Sequence, residues 1–362
     1  MIRLRFFVIS TVLLSFLSLI GCSGPGPSSS EPVAIAGSKS VLYIANEFAR
    51  TLNALELASG SNRTAIRGLD PTANDIVRRP HTNEIWVLHS ETASILKYSI
   101  QTNEEQAPVF LESVDLFLYS TNPNPYSLAF SASGNYYYVT NWLENTIGCY
   151  DVNTNIPVNG HLNVGVAPQG IAVLPDGRVV VTNTNYLATQ QFGIGSIMVI
   201  DSLASEVQNT IQVGVNPQVA RVNGNDLYVV CTGNYNDIGG ALWHFNATSL
   251  AVIGTPIVFS AFVGDLAIGS DSTGGLWGYL PAWSLSTNSV GTVQAVRLDN
   301  WVSVGAIQLA GGPSRITMLP DSGFAVSLFE SDQIFVRTKA GVGYYFSASD
   351  GPKALLAVEK SD

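Results

Sequence analysis

Short runs in which apolar and polar positions alternate follow one another along most of the chain, and this two-residue period is typical of half-buried β-strands. Seven of the runs are rich in β-branched and aromatic residues, and the first four end on asparagine or histidine. They occupy residues 42–46, 85–89, 137–141, 179–183, 227–231, 276–280 and 324–328. Their last residues recur every 42 to 52 residues, which indicates seven copies of one unit.

A second signal has the same period. The pattern Pro-x-x-apolar precedes most of these runs, beginning at Pro125, Pro168, Pro217 and Pro313, and turn-forming residues separate the two. Further alternating runs follow, as in residues 195–201 and 209–214. Four short strands in about 40–50 residues are typical of a propeller blade, whereas a β-sandwich or a β-helix does not have this period. We therefore predict an all-β, seven-bladed β-propeller with four-stranded antiparallel blades.

The two ends of the chain predict how the ring closes. The first unit starts at its second strand, and the missing first strand is supplied near the C-terminus by a Pro-x-x-apolar segment that begins at Pro352. Joining the two hides sheet edges that would otherwise be exposed. We expect blades near residues 71–122, 123–166, 167–215, 216–262, 263–311 and 312–351, and a composite blade of residues 40–70 with 352–360.

Several repeats resemble a known family. Residues 138–141 read Tyr-Val-Thr-Asn, residues 168–172 read Pro-Gln-Gly-Ile-Ala, and residues 175–177 read Pro-Asp-Gly. These segments resemble the repeat consensus of the YVTN family, and the resemblance covers essentially the whole chain after residue 40. It implies a propeller fold of the WD40-like kind. The units after Asn234 depart from the consensus, so there the resemblance implies the fold better than the role of any residue.

The first residues predict export and a lipid anchor. Arg3 and Arg5 precede an apolar run over residues 6–20, which is shorter than the roughly 20 residues of a membrane-spanning helix. Residues 19–22, Leu-Ile-Gly-Cys, resemble a bacterial lipobox, although an ordinary signal peptide is the alternative. We expect a signal peptide over residues 1–21, an acylated Cys22 with a flexible linker over residues 22–39, and one propeller domain over residues 40–362. Ser23 resembles the pattern of lipoproteins sorted to the outer membrane.

The net charge excludes some classes of binding partner, and the cysteine content excludes a disulfide-based fold. The chain has 17 basic and 27 acidic side chains, a formal charge of −10, which argues against nucleic acid and against electrostatic docking on anionic lipid. Membrane attachment would then come from the acyl chains alone. The two cysteines besides Cys22, Cys149 and Cys231, do not form a disulfide framework. We expect a monomer in the cell envelope.

The sequence contains few residues that suggest a metal site or a catalytic site. The four histidines are scattered without a metal-binding motif, and only His89, at a blade rim, is a candidate ligand contact. No catalytic nucleophile has a base placed beside it by a motif. We therefore predict no cofactor, with calcium at residues 234–237 as the alternative.

One face of the propeller should carry the function. The first strand of a blade starts, and the second strand ends, on the same face, and three loops there are long, which favours binding. The predicted ligand-binding residues on this face are Trp142, Tyr186, Tyr235, Trp283 and His89, with Asp265 and Arg315 nearer the axis.

Two functions remain open. The first is a non-catalytic binding or scaffold module of the cell envelope, for a protein or glycan partner. The alternative is a lactonase- or lyase-like propeller enzyme, with Asp75, Asp265 and Arg315 at the channel mouth and calcium in some such enzymes. Several oxygen ligands that converge about 2.3–2.6 Å from one point would favour the enzyme.

Overall fold

The computed structural model describes residues 34–100, 107–189, 191–201, 205–271, 273–284, 291–321 and 323–359. The predicted signal peptide, Cys22 and most of the predicted linker lie outside these residues. Seven antiparallel sheets form the seven blades of a propeller, which confirms the predicted fold class. Within the described residues, no helix is long and apolar enough to span a bilayer.

Each blade is given from its inner to its outer strand. Blade 1 contains β29 (Pro352–Glu359), β1 (Ser40–Asn46), β2 (Thr51–Glu56) and β3 (Ser61–Arg67). Blade 2 contains β4 (Ala73–Arg78), β5 (Glu84–His89), β6 (Ser94–Ser99) and β7 (Val109–Asp115). Blade 3 contains β8 (Pro125–Phe130), β9 (Tyr136–Asn141), β10 (Thr146–Asp151) and β11 (Pro157–Asn163). Blade 4 contains β12 (Pro168–Val173), β13 (Val179–Asn183), β14 (Ile194–Asp201) and β15 (Glu206–Val215).

The last three blades follow the same order. Blade 5 contains β16 (Pro217–Asn223), β17 (Asp226–Cys231), β18 (Ala241–Asn246) and β19 (Ile257–Val258). Blade 6 has a divided inner strand, β20 (Ala261–Val263) and β21 (Ala267–Ser270), followed by β22 (Leu276–Ser284), β23 (Thr292–Arg297) and β24 (Val302–Gln308). Blade 7 contains β25 (Pro313–Met318), β26 (Phe324–Leu328), β27 (Gln333–Arg337) and β28 (Gly343–Ser347). Short 3-10 helices follow β7 and β26.

In blades 3 and 4, the threonine of the repeated motif replaces a hydrogen bond that the sheet loses at a register shift. The inner strand is out of register with the second strand just after its proline, so one backbone N–H loses its ladder partner. The Thr140 hydroxyl accepts that hydrogen bond from Ser127 N at 3.1 Å. The Thr182 hydroxyl accepts the equivalent one from Gly170 N at 2.8 Å. Blade 7 uses a serine in the same place.

The asparagine of the motif joins the second strand to the third. Asn141 Nδ2 donates to Thr146 Oγ1 at 3.0 Å, and Asn183 Nδ2 donates to Ser196 Oγ at 3.3 Å. Each partner belongs to the third strand of the same blade. These side chains are buried, so their role is to fix the turn rather than to meet a ligand.

Apolar layers between neighbouring blades form the core, and the ring closes within blade 1. β1 lies between β2 and β29, and the second pairing runs from Ser40 opposite Glu359 to Asn46 opposite Pro352. The predicted closing strand is thereby confirmed. Residues 34–39 pack on the propeller, although the sequence placed them in the linker, because Ile35 N donates to Leu57 O at 2.8 Å.

Candidate binding site at the channel mouth

The inner strands of all seven blades surround a central channel. They begin on the face where the second strands end, as the pairs Pro125–Asn141 and Pro168–Asn183 show. We call this the upper face, and the opposite one the lower face. Both kinds of predicted site residue, at the second-strand ends and at the inner-strand starts, therefore belong to the upper face.

Aromatic side chains form a continuous row of ring contacts on the upper face of blades 3 to 6. Trp142 contacts Tyr186 with ring centroids 5.6 Å apart, and Tyr186 contacts Phe192 at 4.9 Å. Phe192 contacts Tyr235 at 5.7 Å, and Tyr235 contacts Phe262 at 5.4 Å. We call these five residues and Trp283 the aromatic arc.

Trp283 joins the arc through blade 6. It is paired with Phe262 across β22 and β20, which places the two side chains on the same side of the sheet. Its ring covers Gly264, where a Cβ atom would lie only 2.3 Å from Trp283 Cη2. The inner strand is interrupted at Gly264, and this close approach of the indole explains why a larger residue does not fit there. The structure thus brings all four predicted aromatic residues to one face.

The members of the arc differ in exposure. Tyr235 is 50% exposed, whereas Trp142 and Phe262 are each only 8% exposed. Tyr186, Phe192 and Trp283 are partly exposed. The two buried rings therefore support the row from behind, and the other four present ring surface to solvent.

The loops that carry the exposed rings are held in place by their own hydrogen bonds. Gln218 Nε2 donates to the Tyr235 hydroxyl at 2.9 Å, across from the inner strand of blade 5. Asn234 Oδ1 accepts the backbone N–H groups of Asn236, Asp237 and Ile238 at 2.8 to 3.0 Å. Asn185 Nδ2 donates to Ile194 O at 2.9 Å and closes the loop of blade 4. Because Asn234 is occupied in this way, residues 234–237 form a self-contained turn.

The two predicted aspartates hold neighbouring inner strands together. Asp75 accepts hydrogen bonds from Ile76 N at 3.0 Å and from Leu128 N, in the next blade, at 3.1 Å. Asp265 does the same between blades 6 and 7, with Leu266 N at 2.8 Å and Ile316 N at 3.3 Å.

Asp265 also pairs with Arg221, whose Nη2 lies 2.8 Å from Asp265 Oδ1. The Asp265 side chain is only 3% exposed. Burial with three donors assigns Asp265 a structural role, so its carboxylate is occupied within the fold rather than offered to a ligand.

Arg315 is the basic residue of the mouth. Desolvation acts to lower its pKa, but Asp265 and Tyr126 act in the opposite direction and the pKa is raised overall. The pKa of Asp75 is also raised, chiefly because burial disfavours its charged form. In the part of the chain that the structure describes, no carboxylate lies within salt-bridge distance of Arg315. Its guanidinium, which also has a hydrogen bond with Tyr126, is therefore a charged group that the mouth can offer to a ligand.

The histidines lie elsewhere. His89 is fully buried, so it lies behind the site, and burial lowers its pKa to about 4. His81 lies in the turn between β4 and β5 on the lower face, and His161 and His244 lie on β11 and β18, outside the inner strands. Among the described residues, no group of three or more His, Cys, Asp or Glu side chains is arranged to hold a metal ion.

Two residues of the candidate site, Phe262 and Tyr126, were not identified from the sequence. Phe262 lies on β20, the first half of the divided inner strand of blade 6, where the proline that marks the start of this strand elsewhere is missing. Tyr126 follows Pro125 directly, in the position that Gln169 and Gln218 occupy in blades 4 and 5, and that equivalence was the available signal.

Comparisons with known proteins support the fold. No family model and no curated protein matches the chain. Kuenenia stuttgartiensis hydrazine synthase aligns with a TM-score of 0.65 at 12% identity, over 80% of this chain and 96% of that one. A putative 6-phosphogluconolactonase from Bacteroides uniformis aligns with a TM-score of 0.64 at 14% identity, over 88% of this chain and 99% of that one. A third similar structure is a catalytically inactive histidine-to-alanine variant of virginiamycin B lyase from Staphylococcus aureus, with quinupristin. It aligns with a TM-score of 0.57 at 14% identity, over 80% of this chain and 92% of that one. At these identities the likeness shows the seven-bladed propeller fold alone.

Proposed function

We propose that this chain is a lipid-anchored binding module of the cell envelope, related to the YVTN-repeat propellers, that holds a protein or glycan partner on the aromatic arc without catalysis. The observation that carries the proposal is the unbroken row of ring contacts across four blades, in which Tyr235 remains half exposed. Aromatic rings that are partly open to water favour an interaction site, since tyrosine and tryptophan dominate binding hot spots.

The chemistry of the mouth supports binding over catalysis. Asp265 is occupied by backbone donors and by Arg221, and Asp75 is occupied by backbone donors alone. The lyase named above is described as inactive when one histidine is replaced, whereas none of the four histidines of this chain lies at the mouth.

A propeller enzyme is the second candidate. Its support is the similarity in fold to a putative lactonase and to a lyase, together with Arg315, which stands in the mouth near Asp75. Turnover of a lactone or of a streptogramin by the purified chain, abolished by Arg315→Gln, would establish this candidate and would contradict the first one.

Site-specific crosslinking in intact cells tests the binding proposal. A photoreactive amino acid at Ile238, 47% exposed beside Tyr235, should give a defined adduct, whereas one at Val258, 76% exposed on an outer strand, should not. Alanine at Tyr235 and Trp283 together should lower the adduct yield by about tenfold or more, because hot-spot residues each contribute about 2 kcal/mol or more. The melting temperature should stay nearly unchanged. Equal adducts at both positions would contradict the site.

The anchor is tested separately. We expect Cys22→Ser to lose partitioning into the detergent phase and to leave the membrane fraction, because acyl chains would be the attachment. The measurement is phase partitioning followed by immunodetection in both fractions. A variant that stays membrane-bound would contradict the lipoprotein proposal while leaving the aromatic site untouched.

A further inference from the structure

One hydrogen bond crosses the upper end of the channel. Tyr126 is the second residue of β8 in blade 3, and Arg315 is the third residue of β25 in blade 7. Their side chains are hydrogen-bonded to each other, although at least two blades separate blade 3 from blade 7 in either direction around the ring. The two side chains therefore meet over the channel and give the mouth a floor, which we call the bridge.

The bridge adjoins the aromatic arc at Tyr235. The Tyr235 ring is half exposed, but its hydroxyl lies in the crowded mouth, where burial raises its pKa to about 12. Tyr126 and Arg315 both act on that hydroxyl electrostatically. Gln218 of blade 5 donates a hydrogen bond to it at 2.9 Å. Blades 3, 5 and 7 thus send side chains to one place, where the bridge is the floor and the arc is the wall.

The bridge leaves donors of the guanidinium available to a ligand. An arginine side chain has five N–H donors in a planar fork, which suits the two oxygens of a carboxylate. Two acids act on the charge of Arg315, and both are engaged elsewhere. Asp265 pairs with Arg221 at 2.8 Å, and the two oxygens of Asp75 accept backbone hydrogen bonds. The floor therefore presents a cation with which the carboxylate of a ligand can pair.

A second polar group at the mouth is an acceptor without a donor. Gln169 occupies in blade 4 the strand position that Tyr126 occupies in blade 3 and Gln218 in blade 5. It is 5% exposed, and among the described residues its Oε1 atom has no hydrogen-bond partner. A buried acceptor without a donor is costly, so a ligand hydroxyl that reaches it is favoured.

We propose that the mouth binds the end of a glycan that carries a single sugar acid, with its carboxylate on Arg315 and its neutral units along the aromatic arc. This rests on the proposed binding function of the arc. One sugar acid combines a carboxylate for the guanidinium, hydroxyls for Gln169 and an apolar ring face for the aromatic rings. The chain has 27 acidic and 17 basic side chains, which disfavours a ligand that is anionic along its whole length.

Binding of the full chain to immobilised oligosaccharides tests this assignment. Neutral oligosaccharides that end in glucuronate or galacturonate are each compared with their methyl ester, which keeps the sugar and removes the charge. The wild-type chain should bind the acid about tenfold or more tightly than the ester, because hydrogen bonds to charged groups are the stronger ones. The preference should decrease as the salt concentration is raised.

Substitutions separate the bridge from the arc. Arg315→Gln should bind acid and ester equally, whereas Arg315→Lys should retain part of the preference because the charge remains. Arg67→Gln removes a charge from the exposed end of β3 in blade 1 and is the matched control, in which the preference should be unchanged. Alanine at Tyr235 and Trp283 together should weaken acid and ester by a similar factor.

Four outcomes would overturn the proposal. Equal binding of acid and ester by the wild-type chain rejects the carboxylate, and this result does not depend on any variant. A preference that survives Arg315→Gln rejects the role of Arg315. If no sugar binds but the photoreactive group at Ile238 gives a protein adduct that depends on Tyr235, the sugar acid is rejected and the proposed binding function is kept. If the sugars bind equally well after alanine at Tyr235 and Trp283, the proposed function fails together with this inference.

Discussion

Two sides of the upper face differ in the length of their loops, although their blades have the same four-stranded architecture. On blades 1 and 2, the second strand turns into the third within four residues, from Asn46 to Thr51 and from His89 to Ser94. On blade 4, the connection from Asn183 to Ile194 is long enough to carry Tyr186 and Phe192. The comparison teaches that the two rings of blade 4 depend on the length of this loop, since the strands around it are equivalent to those of the other blades.

The side with the short turns carries the structural joints. Glu47 and Lys353 form an ion pair at 2.9 Å where the two chain ends meet. His89 is buried there, whereas at the corresponding strand end of blade 5 the chain continues into the loop of Tyr235. We therefore expect substitutions on the upper face of blades 1 and 2 to lower stability, and substitutions of exposed residues of the aromatic arc to lower binding.

The largest expected effect comes from removing the closing strand. Deleting residues 352–362 uncovers β1 and removes Leu355, Leu356 and Val358 from the apolar layers between blades. Burial of apolar side chains is worth about 1.5–3 kcal/mol each, so the loss should reach the order of 5 kcal/mol, comparable to the whole stability of many domains. Thermal unfolding measures it, with a truncation after Glu359 as the control. An unchanged melting curve would mean that β29 does not close the ring.

A smaller effect is expected from pH at His89. Its folded-state pKa of about 4 lies below its ordinary value of 6.5, so the unfolded state binds the proton more readily. Stability is therefore fully present above about pH 6.5 and falls as the pH drops toward 4, by roughly 3 kcal/mol.

The measurement for His89 is denaturant unfolding between pH 4 and 7. His89→Gln should flatten the pH dependence of the free energy of unfolding, whereas substitution of the exposed His81 should leave it as it is. A dependence that survives in His89→Gln would assign the titration to another group.

The two aspartate joints provide the smallest and sharpest comparison. Asp75 joins blades 2 and 3, and Asp265 joins blades 6 and 7, by the same pair of backbone hydrogen bonds. Only Asp265 also pairs with Arg221. Asparagine at position 265 should cost about 1–3 kcal/mol, because hydrogen bonds to a charged group are the stronger ones, and asparagine at position 75 should cost less. Equal losses in chemical denaturation would show that the Arg221 pair adds nothing.

The architecture could be predicted from the sequence because most blades repeat the same strand signals at a nearly constant period. The phase of the repeat also predicted that Trp142, Tyr186, Tyr235 and Trp283 would share a face. Their exposure could not be predicted, since Trp142 is covered by Tyr186 from another blade. His89 occupies the expected strand end, but burial by residues distant in sequence decides its role.

The joint of β1, β2 and β29 has a mechanical consequence. A pull on the N-terminal segment acts along the axis of β1, which is clamped between two antiparallel neighbours over its whole length. Such a load shears both ladders at once instead of peeling one hydrogen bond after another. The start of the propeller is therefore built to resist tension through two ladders together.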